Sequence, residues 1–250
     1  MNIRGVQKMI DLAKKMKNLN VFIHVSTAYA NCDRQHISEI VYNQLITPDK
    51  LLEACDWMDD DIMNLLTPKM LKLRPNTYTF TKAIAESLVL KHGKDFPITI
   101  VRPSIVCATW REPFPGWIDN LNGPTGLFVA VAKGLLKSMM ANTSAIADLL
   151  PVDTCVNFLI AAGWFKGSGR TAETMVFNCT TGMVNPLRWT IVEAAINKTI
   201  KECPYENVFM YPYGEFTSSK YAKLFWTFLV QMIPSFLADL TLRFTNKKPL

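Results

Sequence analysis

The first part of the sequence contains almost no glycine, and this shortage excludes one kind of phosphate site. Gly5 is the only glycine before Gly93, so no G-x-x-G-x-x-G pattern occurs there. A glycine-rich turn between a strand and a helix is what brings backbone N–H groups against a pyrophosphate. This stretch therefore cannot build the usual cradle for a dinucleotide.

Clustered cysteines are also lacking. No C-x-x-C pair occurs among the six cysteines, which are Cys32, Cys55, Cys107, Cys155, Cys179 and Cys203. This spread argues against zinc and disulfide frameworks, so we expect reduced thiols. The group His24, Cys32, Asp33 and His36 matches no standard metal spacing. We predict no metal site, and a satisfied core histidine at position 24.

The composition is that of a globular protein with a modest positive charge. Hydrophobic residues make up 49% and charged residues 19% of the 250 residues, which excludes a disordered tail and a collagen-like repeat. The net charge of +6 comes from scattered basic residues. Such scatter favours a phosphate-bearing small molecule or an acidic membrane face over nucleic acid. No signal-peptide pattern opens the sequence.

Alternating helical and strand patterns predict an α/β protein with a parallel sheet. The predicted helices lie at 1–20, 51–57, 61–72, 78–92, 127–139, 153–165 and 185–201, the last opened by Pro186. The predicted buried strands lie at 21–25, 98–106 and 175–178. The loop 110–126 is rich in proline, glycine and tryptophan, a composition that favours a functional loop.

Tyr78 and Lys82 are the most informative pair. At a spacing of four, both side chains lie on one face of the helix at 78–92. A nearby ammonium group stabilises a phenolate, which suits Tyr78 to give or take a proton at a carbonyl oxygen. Taken alone, the pair also fits a core aromatic residue beside a solvated lysine.

Polar residues end the strands that flank this helix. Ser26 and Thr27 follow the first strand, at the carboxyl edge where parallel sheets place ligands. A hydroxyl there can bond the same carbonyl oxygen, although two hydroxyls that cap a loop are also common. Arg102, Pro103 and Ser104 interrupt the next strand, where proline marks an end or a bend.

Together these features resemble the extended short-chain dehydrogenase/reductase superfamily. The sequence is most similar there to the alcohol-forming, male-sterility-type fatty acyl-CoA reductases. The segments that carry this resemblance are His24-Val-Ser-Thr-Ala-Tyr-Ala-Asn-Cys32, Arg74-Pro-Asn-Thr-Tyr78, Val101-Arg-Pro-Ser-Ile-Val106, Glu112-Pro-Phe-Pro-Gly-Trp-Ile-Asp-Asn120, Asn122-Gly-Pro124, Leu150-Pro-Val-Asp153 and Asn178-Cys-Thr-Thr-Gly182. The resemblance extends over nearly the whole chain.

The resemblance implies reduction of a long-chain fatty acyl-CoA to a primary alcohol with NADPH. Tyr78 is then the proton donor, and Thr27 or Ser26 supplies a second hydrogen bond, with Thr27 slightly favoured. Lys82 is expected to hold the ribose of the cofactor. Pro103 and Ser104 match the segment that lies against the nicotinamide.

Asn2 stands where the superfamily has a helix asparagine that supports proton relay. A helix N-cap is the other interpretation of this residue.

Because the glycine-rich turn is missing, the preference for NADPH rests on the resemblance alone. We expect these 250 residues to be an internal piece of a longer reductase, with Met1 an internal methionine. The piece alone is expected to bind NADPH poorly and to be inactive. We predict a Rossmann-type NADP-binding part at 1–106, a smaller mixed substrate-binding region at 107–215, and the start of a C-terminal helical region at 216–250.

The apolar segment 224–242 predicts a C-terminal helix with two possible environments. Its length is near the minimum of roughly 17–20 residues that spans a bilayer, but Pro234 and Asp239 disfavour a simple span. A membrane-surface helix is preferred, on the cytosolic face of the peroxisomal or endoplasmic reticulum membrane, and a buried helix is the alternative. The aromatic residues Trp110, Phe114 and Trp117 either line an acyl tunnel or pin their loop.

Two other functions stay open. One is a related reductase that acts on sterols or sugar nucleotides, although the Glu112–Trp117 segment argues against it. The other is a non-catalytic, truncated relative. The sequence leaves the oligomeric state undetermined.

Overall fold

The computed structural model describes residues 1–93, 95–169, 173–233 and residue 236. The chain divides into two compact units. The first comprises Met1–Pro115 and Leu150–Thr180, and the second comprises Gly116–Leu149 and Thr181–Leu250. The boundaries at 106 and 215 that the sequence suggests stay predictions.

Helices and strands alternate along the chain, as predicted for an α/β protein. The helices are α1 (Arg4–Ala13), α2 (Pro48–Trp57), α3 (Asp60–Leu71), α4 (Thr77–Lys91), α5 (Pro124–Ala132), α6 (Val152–Gly167), α7 (Trp189–Glu202) and α8 (Lys220–Trp226). The strands are β1 (Phe22–Val25), β2 (Ile98–Pro103), β3 (Ile105–Cys107), β4 (Ser138–Met140), β5 (Leu149–Pro151), β6 (Met175–Cys179) and β7 (Glu215–Thr217).

The first unit contains a parallel sheet of three strands in the order β1-β2-β6. In β1 and β2, Phe22 lies opposite Ile98 and Val25 lies opposite Val101, so the two strands end at the same edge. β2 is buried along its whole length, as expected for a central strand covered on both faces. This arrangement confirms the predicted partial Rossmann-type sheet.

Helix α4 packs against β2 and forms the core of the first unit. Phe80, Ile84 and Leu88 lie on its buried side together with Ile98 and Ile100 of the strand. Asn76 caps the helix, because its side chain accepts a hydrogen bond of 3.0 Å from the backbone N–H of Thr79. A capped and buried helix is a rigid support for the side chains on its other face.

The single strand predicted at 98–106 is interrupted at Ser104. Pro103 ends β2 and has no N–H to donate, and the N–H of Ser104 donates to the carbonyl of Cys179 at 3.1 Å. The chain then enters β3, which pairs with β5 in a separate two-stranded sheet. The first predicted helix is also shorter than expected, since α1 covers only residues 4–13 of the range 1–20.

In the second unit, the helix predicted at 127–139 is wrong in its second half. Helix α5 ends at Ala132, and Gly134 follows with φ +73°. A Cβ at position 134 would also collide with the backbone carbonyl of Met210. A left-handed glycine is a common helix end, so the chain leaves the helix and forms β4, which pairs in parallel with β7.

Helix α7 begins later than predicted, at Trp189, and Pro186 does not open it. The residues before Trp189 form backbone hydrogen bonds outside the helix. The N–H of Asn185 donates to the carbonyl of Thr181 at 2.7 Å, and the carbonyl of Leu187 accepts from Ala147 at 2.6 Å. Backbone groups held in these bonds are not free for a helical ladder.

The C-terminal helix begins at Lys220, as α8, and continues as a π-helix over Thr227–Met232. Most of the predicted segment after Ile233, including Pro234 and Asp239, lies outside the described residues. Of the helices that the structure describes, none combines the length and the apolar content needed to cross a bilayer.

Candidate active site

Helix α4 presents three polar side chains in one stripe. Tyr78, Lys82 and Glu86 follow one another at intervals of four residues, so they share a helix face. Tyr78 is half exposed, and the Nζ of Lys82 lies 5.9 Å from the centre of its ring. The same Nζ donates to the carbonyl of Val25 at 2.9 Å, which holds the ammonium group at the carboxyl end of β1.

Ser26 follows β1 and is buried beneath this stripe. Its Oγ donates to Oε1 of Glu86 at 2.6 Å. A hydroxyl group has only one proton to donate. Because that proton is donated in a hydrogen bond to Glu86, Ser26 can only accept a hydrogen bond from any further partner.

Thr27 has the opposite arrangement. It caps the 3-10 helix Ala28–Asn31, and its Oγ1 accepts from the backbone N–H of Tyr29 at 3.3 Å. Within the described part of the chain, the hydroxyl proton of Thr27 has no acceptor. Of the two predicted hydroxyls, Thr27 is therefore the one that can still donate to a ligand.

Glu86 and Arg102 form a buried ion pair that the sequence reading missed. The exposed fractions of their side chains are 1% and 0%. Nε of Arg102 donates to Oε1 at 2.8 Å and Nη2 to Oε2 at 2.7 Å, a bidentate geometry. The sequence does contain one signal for it: Glu86 follows Lys82 by four residues and therefore lies on the same face of the helix.

Arg102 also holds the loop at 38–40 through further N–H donors. Nη1 donates to the carbonyl of Ser38 at 3.0 Å, and Nη2 to that of Ile40 at 2.7 Å. The loop at 38–40 is thereby fixed to the end of β2.

Pro103 and Ser104 are buried at the end of β2. Among the described residues, no group bonds the Oγ of Ser104. Burying a hydroxyl without a hydrogen-bond partner costs free energy. Such an unpaired group is therefore expected where a ligand supplies the missing partner. Tyr78, Lys82 and Ser104 thus offer the donors that a nicotinamide riboside needs, so the residues present fit that end of a dinucleotide.

His24 lies in β1 and is buried, as predicted, but it is not satisfied. Its Nε2 has no hydrogen-bond partner in the described ranges, so that part of the prediction is wrong. Burial, together with the nearby charge of Lys82, lowers the pKa of His24 to about 4. The imidazole is therefore neutral at pH 7 and adds no positive charge beside Lys82.

Two opposing effects act on the ammonium group of Lys82. The pKa of Lys82 is lowered from its ordinary value, because burial lowers it more than the carboxylate of Glu86 raises it. The charge of Glu86 therefore affects the pKa of Lys82 on the same helix face.

Asn2 is not a helix N-cap, which corrects one of the two interpretations. Residue Ile3 holds the N-cap position of α1 and makes no side-chain bond. The Nδ2 of Asn2 donates instead to Oγ1 of Thr81 at 3.0 Å, next to Lys82 on α4. A relay role for Asn2 stays a prediction.

The aromatic loop is anchored at its start by Asp153. The carboxylate accepts from the N–H groups of Trp110, Arg111 and Glu112 at 2.8–3.2 Å, and these bonds lower its pKa to about 2. Trp110 and Phe114 are more than half exposed. A tunnel role for these aromatics and for Trp117 stays a prediction. Three ligating side chains do not come together for a metal anywhere in the described ranges.

Comparison with known proteins gives a family match. Residues 1–159 match the model of an NAD-binding family described as male sterility protein. Fatty acyl-CoA reductase 1 of Rattus norvegicus is 49% identical over 249 residues, which are 100% of this chain and 48% of the rat protein. Fatty acyl-CoA reductase 2 of Mus musculus is 42% identical over the same shares. The chain spans about half the length of these curated relatives.

Among solved structures, a thiolation-reductase di-domain from an archaeal non-ribosomal peptide synthetase is similar, with a TM-score of 0.52. The alignment has 13% identity and covers 92% of this chain and 41% of that chain. At this identity the likeness concerns the fold alone.

We predict that His24 makes the fold sensitive to mild acid. The unfolded chain takes up a proton near the ordinary pKa of 6.5, and the folded chain only near 4. Between these values acid favours unfolding, so stability is full above pH 6.5 and falls as the pH is lowered, by about 2 kcal/mol at pH 5. Urea unfolding of His24→Gln at pH 5 and pH 7 should show a smaller loss.

The control is His36→Gln, which removes an exposed imidazole and should keep the wild-type loss. Equal losses in wild type and His24→Gln would contradict the burial of a neutral His24.

Proposed function

Because this chain belongs to the male sterility protein family, we propose that it supplies the catalytic centre of a reductase that converts a long-chain fatty acyl-CoA to a primary alcohol. The observation that carries the proposal is the position of Lys82, whose Nζ lies 5.9 Å from the ring centre of Tyr78 and donates to the carbonyl of Val25, two residues before Thr27. The names of the relatives support the acyl-CoA substrate. We assign NADPH rather than NADH on the family resemblance.

Tyr78 is the proton donor in this proposal. When the acyl carbon is reduced, its oxygen becomes negative and takes the phenolic proton of Tyr78. Thr27 donates a second hydrogen bond to the same oxygen, which stabilises the charge as it develops. When bound, NADPH would supply the hydride. The thioester takes one hydride and releases the thiolate of coenzyme A, and the resulting aldehyde takes another, so the alcohol requires two molecules of NADPH, two protons and exchange of the oxidised cofactor between the two reductions.

Lys82 stabilises the phenolate that Tyr78 becomes. Its ammonium group is held by the carbonyl of Val25 and retains two protons for other partners. These protons can bond the ribose hydroxyls of the cofactor. The neutral His24 beneath it leaves Lys82 as the cation of this stripe.

An apolar cavity in the second unit supports a long acyl chain as part of the substrate. Its volume is about 450 Å³, within the usual range of ligand sites. Helices α5 and α7 form its walls through mainly apolar residues, among them Phe128, Ala132, Val192, Ala195 and Ile196. A wall with so few polar groups suits a hydrocarbon better than a sterol hydroxyl or a sugar nucleotide.

The proposed function is tested with a chimera in which these residues replace the matched segment of rat fatty acyl-CoA reductase 1. We expect palmitoyl-CoA-dependent oxidation of NADPH and release of hexadecanol. Thr27→Val and Tyr78→Phe should each lower kcat by about 10²–10⁴-fold, because each removes a donor to the reacting oxygen. Absorbance measures the oxidation of NADPH, and gas chromatography measures the hexadecanol released.

Tyr211→Phe, at an exposed tyrosine, is the control and should keep full activity. The 250-residue chain alone is expected to show no turnover. A folded chimera that reduces sterol or sugar-nucleotide substrates, or nothing, would overturn the acyl-CoA assignment in favour of the related or the non-catalytic protein.

Chain-length preference tests the cavity. Ala195→Trp places an indole in the cavity and should shift the preferred acyl-CoA of the chimera to chains several carbons shorter. Ala194→Trp adds the same bulk at the neighbouring exposed position of α7, which does not line the cavity. Assays with C8 to C18 acyl-CoA should show no shift for this control, and equal shifts in both variants would refute the cavity as the acyl site.

We also propose that the C-terminal helix rests on a membrane surface, on the cytosolic face of peroxisomes or the endoplasmic reticulum. Leu224, Phe225 and Phe228 are more than half exposed. Lys220 and Lys223 precede them in α8. Exposed aromatic and apolar groups beside lysines are typical of interfacial helices.

Vesicle co-sedimentation checks this placement. The chain should bind vesicles that contain phosphatidylserine, and Phe225→Ser with Phe228→Ser should reduce binding severalfold. Phe209→Ser, at an exposed phenylalanine outside the helix, should not. Full retention of binding in the double variant would exclude the helix as the contact.

A further inference from the structure

Two neighbouring hydroxyls, Ser26 and Thr27, end β1, and only one of them faces a buried carboxylate. The Oγ of Ser26 is 2.6 Å from Oε1 of Glu86. Ser26 and Glu86 are 3% and 1% exposed, so water does not compete for this bond. A hydrogen bond to an ionised group in such surroundings is among the strong ones.

The position of Ser26 determines that of Thr27. The backbone N–H of Ser26 donates to the carbonyl of Val101 at 2.7 Å, and its side chain is held by Glu86. Residue 26 is thus fixed at two points. The chain turns immediately afterwards, since the carbonyl of Thr27 accepts from Ala30 at 3.1 Å and its Oγ1 from Tyr29.

Glu86 cannot turn away from Ser26. Arg102 engages both carboxylate oxygens and is itself held by the carbonyls of Ser38 and Ile40. Rotation of the carboxylate would leave a buried charge without its partner, which is strongly unfavourable.

We infer that Glu86 is a positioning residue, which holds the hydroxyl of Ser26 so that Thr27 donates to the substrate oxygen. The inference rests on the proposed function, whose reacting oxygen Thr27 contacts. Glu86 acts through Ser26 and touches no substrate. Its carboxylate also lies one helical turn from Lys82, so it contributes negative charge to the same stripe.

Ser26→Ala is the direct test, because it removes the hydrogen bond and leaves the buried ion pair in place. Without the bond the turn at Thr27 loosens. Amide hydrogen exchange at Tyr29 and Ala30 should therefore accelerate at least about tenfold in the 250-residue chain. Ser87→Ala removes a half-buried hydroxyl of α4 that donates to the carbonyl of Ala83 in the same helix; it is the matched control and should leave these amides unchanged.

Kinetics of the chimera supply a second readout. For Ser26→Ala we expect kcat to fall about 10–100-fold with KM within about twofold, since misplacement of a donor affects the transition state more than binding. Glu86→Gln also unpairs the buried Arg102, so it should lose at least as much, and adding Ser26→Ala to it should lower kcat little further. Additive losses would show that the two residues act separately.

Two results overturn the inference. Unchanged exchange at Tyr29 and Ala30 in Ser26→Ala would show that Ser26 does not position the turn. Full activity of Thr27→Val, with a loss in Ser26→Ala as large as in Tyr78→Phe, would make Ser26 the donor. If the chimera reduces no acyl-CoA at all, the proposed function fails, while the exchange measurement still decides whether Glu86 and Ser26 position Thr27.

Discussion

The buried ion pair between Glu86 and Arg102 is the interaction on which the site depends. Removing two charges from water costs several kcal/mol per ion, and the pair is favourable only if its geometry is good and further hydrogen bonds satisfy the remaining polar groups. Here both carboxylate oxygens are engaged, and the other guanidinium donors reach Ser38 and Ile40. One pair thereby joins helix α4, the ends of β1 and β2, and the loop at 38–40.

This constraint determines which protons are free at the end of β1. Ser26 donates its hydroxyl hydrogen bond to Glu86, whereas Thr27 only accepts a hydrogen bond, from the N–H of Tyr29. Lys82 is tied to the carbonyl of Val25, and His24 is neutral because burial lowers its pKa to about 4. In the part of the chain that the structure describes, the groups left at this strand end are the ammonium group of Lys82, the phenol of Tyr78 and the hydroxyl of Thr27, and these suit the reduction of a carbonyl group.

Much of this arrangement could be predicted from sequence, because it depends on local patterns. The spacing of Tyr78 and Lys82 and the apolar strand before Ser26 are visible in a few residues each. The choice between Ser26 and Thr27 could not be made, since the acceptor, Glu86, is sixty residues away. The end of α5 just before Gly134 and the late start of α7 depend on contacts with Met210 and Ala147 that no local pattern reveals.

The most direct test of this account is a structure of the chimera with NADP⁺ and a ketone analogue of palmitoyl-CoA, in which a CH2 group replaces the thioester sulfur and the carbonyl stays at the reacting position. We predict that the carbonyl oxygen lies within about 2.6–3.2 Å of both Oγ1 of Thr27 and the phenolic oxygen of Tyr78. Ser26 should stay bonded to Glu86. A structure in which Ser26 leaves Glu86 and bonds the carbonyl, while Thr27 does not, would contradict the account.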